Sequence, residues 1–76
     1  MNNSYLVSFA DIEVPSCWLK RFEGHSLEEI QDKIQQYVES NWDLEDTLPS
    51  DYYEMKSFLA DNYGILIGNI EDLEII

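Results

Sequence analysis

Basic residues are nearly missing from this chain. Four Lys and Arg stand against sixteen Asp and Glu, leaving a formal charge of −12 on 76 residues. That balance excludes simple attraction to phosphate backbones or anionic lipid, and its self-repulsion opposes compaction. Cysteine occurs once, at Cys17, so an internal disulfide is excluded and a reducing, cytoplasmic setting is expected. Histidine also occurs once, at His25, which removes histidine-based zinc sites and two-histidine iron sites. No apolar run reaches the length of a membrane span, and the first twenty residues lack a charged segment followed by an apolar one. Neither anchoring nor export is expected.

What is present argues for a fold. Disordered acidic tails are poor in aromatic and β-branched residues, whereas this chain is 45% hydrophobic and 13% aromatic, with five Tyr, three Phe and two Trp. A single domain over residues 1–76 is expected, near the size at which one core just suffices.

Residues 4–14, SYLVSFADIEV, read as a strand. Tyr5, Val7 and Phe9 share one parity and Leu6, Ile12 and Val14 the other, so a bulge or bend is expected near Ala10. Pro15-Ser16 signals a turn, and CWLKRFEG reads as a second strand with Trp18, Lys20 and Phe22 on one side. The short connection predicts an antiparallel hairpin.

Ser26 and Glu29 match a capping box, and Leu27, Ile30, Ile34, Tyr37 and Val38 form one apolar helical stripe that ends near Trp42. Residues 43–51, DLEDTLPSD, read as a loop. Ser50 or Asp51 is placed to cap a second helix carrying Tyr52, Met55, Leu59 and Tyr63 at helical spacing, with Gly64 closing it in the left-handed conformation. ILIGNI, residues 65–70, reads as a buried strand, and EDLEII either extends it or turns away. The expected fold class is α+β, in ββααβ order, with two helices on one face of a small antiparallel sheet.

Chemistry points to the charge. Residues 39–76 hold ten acids and one base, Lys56; residues 1–38 hold six acids and three bases. Asp43, Glu45, Asp46, Asp51 and Glu54 are interleaved with Trp42, Tyr52 and Tyr53, and Glu71, Asp72 and Glu74 would widen the patch. Spaced carboxylates imitate nucleic-acid phosphates, while neighbouring aromatics anchor an interface. Tyr5, Phe9, Trp18, Phe22, Tyr37 and Phe58 read instead as core.

The same loop admits a calcium reading. With Asp43 at position 1 of an EF-hand loop, Glu45, Thr47, Asp51 and Glu54 fall at 3, 5, 9 and 12, but Leu48 occupies the position that needs glycine. No metal or other cofactor is therefore expected. Ser26, Ser57 and Cys17 belong to no nucleophile motif, and Gly64 and Gly68 flank a strand rather than cradle a phosphate, so no catalysis is expected. His25 reads as a surface or capping residue and Cys17 as a small core residue.

In size, acidity and lack of a catalytic motif, the chain resembles phage-encoded anti-restriction and anti-CRISPR proteins, several of which mimic nucleic acid. It also resembles the immunity proteins that neutralise nuclease toxins. Leu48-Pro49 followed by Tyr52-Tyr53 is similar to the barstar ribonuclease inhibitors over six residues, with Glu54 and Met55 where that pattern has Gly and Asn. These resemblances imply a non-catalytic inhibitor whose partner is a nuclease or other basic nucleic-acid-binding protein, with no direct contact to nucleic acid or membrane. The alternative is a regulatory or adaptor domain that binds through an apolar surface or sheet edge, its acidity serving solubility.

Overall fold

Alternation in the first strand sorts its side chains as the pleat requires. Tyr5, Val7 and Phe9 turn to one side and are buried; Leu6, Ser8 and Ala10 turn to the other and are not. In the computed structural model, which describes residues 3–73, this strand is β1 (Asn3–Asp11). It is followed by β2 (Ser16–Gly24), α1 (Leu27–Asn41), α2 (Tyr52–Tyr63) and β3 (Ile65–Leu73). The sheet order is β2-β1-β3, with β1 antiparallel to both neighbours. The architecture is the expected α+β fold in ββααβ order. On one face of the sheet α1 packs over β2 and α2 over β3. Between the layers, Tyr5, Val7, Phe9, Phe22, Ile65 and Ile67 meet Ile30, Ile34, Val38, Met55 and Leu59.

Local chemistry fixes the ends of the helices. Ser26 Oγ accepts from the Glu29 N–H at 3.2 Å, and the Glu29 carboxylate accepts from the His25 N–H at 3.1 Å, so both halves of the α1 cap are made. Asp51, rather than Ser50, caps α2 by accepting from the Glu54 N–H at 3.1 Å. Gly64 ends α2 with φ of 67°, a conformation that glycine adopts without the steric cost a Cβ brings.

Four expectations are corrected. β1 stops at Asp11 instead of running to Val14. Asp11 Oδ1 accepts from the Glu13 N–H at 3.0 Å and the Ile12 N–H donates to Gly64 O at 3.0 Å, which turns the chain early and leaves Ile12 and Val14 exposed. The bulge lies in β3, not near Ala10: Gly68 and Asn69 together oppose Ser8, between the Val7–Ile70 and Phe9–Ile67 pairs. A Cβ at Gly68 would overlap the Ser8 side chain. Leu27, in the first turn of α1, is exposed, and the buried stripe of the helix begins one turn later at Ile30. Cys17 is exposed rather than core, since Trp18 takes the inward position and its neighbour must point outward.

Candidate acidic interface

The site is built on α1. Glu28, Asp32, Gln35 and Glu39 recur at helical spacing along one stripe, away from the buried Ile30, Ile34 and Val38. At 1.5 Å per residue the stripe runs about 16 Å. The chain then returns past α1, because Leu48 is buried in the core and draws the 43–51 segment inward. Two grooves open along the resulting seam. One, of about 280 Å³, is lined by Glu28, Gln31, Asp32, Gln35, Ser50, Asp51 and Tyr52. The other, of about 200 Å³, is lined by Glu39, Trp42, Asp43, Leu44, Asp46 and Leu48.

The expected site residues are thus only partly brought together. Asp43, Asp46 and Asp51 line the seam, where they are joined by Glu28, Asp32 and Glu39, which the sequence reading had not included. The signal for those three is the 3.6-residue period of α1 on its polar side. Glu45 and Glu54 are exposed nearby but line neither groove. Glu71 and Asp72 are successive residues of β3 and point to opposite faces of the sheet, so they do not widen one patch. Glu74 lies outside the described residues.

The three aromatics have separate fates. Tyr53 is 65% exposed and stands edge-on to Tyr52, with ring centroids 5.4 Å apart. Tyr52 is core: only 9% exposed, with its hydroxyl buried and without a hydrogen-bond partner among the described residues. Burial pushes its phenol up to about 12. Trp42 is half-buried and stacks on Trp18 at 5.7 Å and 22°, while its Nε1 donates to Asp11 Oδ2 at 3.0 Å. That indole bond, followed by the Glu13 N–H, holds the Asp11 carboxyl below its ordinary value. Trp18 Nε1 donates in turn to Tyr37 Oη at 3.0 Å, so this cluster fastens the hairpin to the end of α1. Trp42 and Tyr52 therefore help hold the fold while lining the two grooves, and Tyr53 is the most exposed of the three.

Few of the acids are paired with a cation among the described residues. Among the described residues the ion pairs are Arg21–Glu23 at 3.3 Å and Lys33–Glu29 at 3.6 Å. The other two cations lie over rings, Lys20 over Tyr37 and Lys56 over Tyr52. The seam carboxylates have no cation partner among the described residues, although Asp46 accepts from Tyr63 Oη at 2.9 Å, a bond that raises the Tyr63 phenol, and Asp51 caps α2. No three His, Cys, Asp or Glu side chains among the described residues converge to hold a metal ion, and in the EF-hand numbering Asp51 is occupied by its cap. No described helix is long and apolar enough to cross a membrane. No family model matches the chain, and no curated protein or solved structure matches it.

Proposed function

We propose that this protein is a non-catalytic acidic inhibitor that occupies the cationic groove of a nucleic-acid-handling protein. The observation that carries the reading is the α1 seam, where Glu28, Asp32, Glu39 and Asp43 are concentrated along one layer without cation partners among the described residues. Fixed carboxylates at one- and two-turn intervals offer the charge that a groove built for phosphates receives, and they accept from guanidinium and ammonium groups. Inhibition is by competition: the seam takes the Lys and Arg that would hold nucleic acid, and Tyr53 packs beside them. Close interfacial charge pairs couple by about 1.5–7 kcal/mol, enough for a few of them to displace a nucleic-acid ligand. The partner is a restriction or CRISPR nuclease if the protein is a nucleic-acid mimic, or a nuclease toxin if it is an immunity protein. Either setting is cytoplasmic.

The test is a competition. Proteins retained on the immobilised chain at low salt and released at high salt are assayed for nucleic-acid binding with and without it. The wild type should abolish that binding. A variant carrying Asp32→Lys, Glu39→Lys and Asp43→Lys should fold and leave it intact; equal potency would remove the seam from the mechanism. The adaptor reading draws support from the exposed Leu19 and Leu66 on the helix-free side of the sheet. It expects retention that ignores salt.

A further inference from the structure

The sheet has a second face that no helix covers. The registers lay its side chains out in transverse rows across β2, β1 and β3: Cys17–Ala10–Leu66, then Leu19–Ser8–bulge, then Arg21–Leu6–Glu71, then Glu23–Ser4–Leu73. Leu19 is 64% exposed, Leu66 44% and Leu73 37%. Arg21 is held in place, its Nη2 donating to Ser4 Oγ at 2.8 Å and to Glu23 at 3.3 Å. Among the described residues of these rows the charged ones are Arg21, Glu23 and Glu71, with Arg21 paired to Glu23, while the carboxylates of the seam belong to the opposite layer.

We propose that this open face seats a second copy of the chain, the two sheets stacking about a two-fold axis that runs along β1. The choice of occupant follows from the row containing Arg21. Rotation about such an axis lays β2 of one copy over β3 of the other and each row over itself. Arg21 then faces Glu71 of the second copy, and Glu71 faces its Arg21, so the two ion pairs form together. Leu6 meets Leu6, and Cys17 and Leu19 lie over Leu66 and the small residues of the bulge. Such self-complementarity is what a two-fold interface demands of a single surface. Packed sheets lie about 10 Å apart, a gap that an Arg and a Glu side chain span jointly. The arrangement also sends both acidic layers outward, the stacking in which two chains of this charge repel least.

The size of the face sets the strength. Three nine-residue strands side by side give a flat area of about 30 by 14 Å, below the roughly 800 Å² per partner of a standard interface. The dimer accordingly belongs with the weak, transient interfaces.

Sedimentation equilibrium of the full chain from about 10 to 500 µM tests this, with circular dichroism checking each variant's fold. The wild type should rise toward the mass of two copies. Arg21→Glu and Glu71→Arg, each alone, place like charges over one another and should weaken association at least about tenfold. The double exchange, Arg21→Glu with Glu71→Arg, should restore it to within about threefold. Should Arg21→Glu disturb the fold through Ser4, the wild type and Glu71→Arg, which keeps the Arg21–Ser4 bond, carry the test. A wild type that stays one copy throughout overturns the proposal. So does a dimer indifferent to the single changes, or one that the double exchange fails to rescue, as edge-to-edge strand pairing would.

Discussion

Replacing Tyr52 by Phe should stabilise the protein, although Tyr52 is a core residue. The ring fills its place between α2 and the sheet, and Phe keeps that packing along with the contacts to Tyr53 and Lys56. What Phe removes is a hydroxyl with no partner among the described residues. A buried polar group left unbonded costs about 1–3 kcal/mol of desolvation, so a net gain of about 1 kcal/mol is expected. For a domain of this size that is a rise of about 4–8 °C in melting temperature. The gain should grow in alkali. In the unfolded chain Tyr52 loses its proton near 10, whereas in the fold burial holds the proton until about 12. Between those values the folded state binds more protons, so stability is full below pH 10 and is lost as pH rises through that window. Tyr52→Phe abolishes this loss. Urea denaturation of both proteins at pH 7 and pH 11 measures it. A destabilised Tyr52→Phe at pH 7 would mean that the hydroxyl has a partner and that the reasoning about the core is wrong.

Two further outcomes follow from the geometry. Gly64→Ala forces a side chain into positive φ and sets a Cβ 2.6 Å from Ile12 Cγ1, so a loss of about 2 kcal/mol is expected by thermal melting; Gly68→Ala, whose clash is chiefly with the rotatable Ser8 hydroxyl, should cost less. The Trp42–Asp11 bond lowers the Asp11 carboxyl, so its contribution is full above the ordinary aspartate value of 3.8 and fades as pH falls through the lowered one. Tryptophan emission should titrate with a midpoint below 3.8, the transition should vanish in Asp11→Asn, and a midpoint at or above 3.8 would contradict the assignment.

The fold was largely legible because its signals are local. Ser26 with Glu29 opens α1, Asp51 opens α2, Gly64 ends it, and each strand alternates or stays apolar as its burial demands. The place of the bulge is not legible because it depends on which β3 residues face Ser8, a register that forms across the sheet and has no counterpart in β1 alone. The candidate site was half legible. Grouping acids by nearness in sequence found Asp43, Asp46 and Asp51 but passed over Glu28, Asp32 and Glu39, which only the packing of the return segment against α1 makes their neighbours. Trp42 and Tyr52 sit among acids in the sequence, which does not show that the first also stacks on Trp18 and the second also joins the core.

The account rests on the seam acting as a receiver of cationic side chains, and displacement of nucleic acid measures that most directly. A labelled duplex is bound to the protein retained by the immobilised chain, and the free chain is titrated in at several salt concentrations. The expected result is full displacement, with an affinity that falls linearly on logarithmic axes as salt rises and a thousandfold or similar loss for the three-lysine variant, on the order of 4 kcal/mol. A ternary complex in which duplex and chain bind together, or displacement unchanged by salt and by the three lysines, would contradict it.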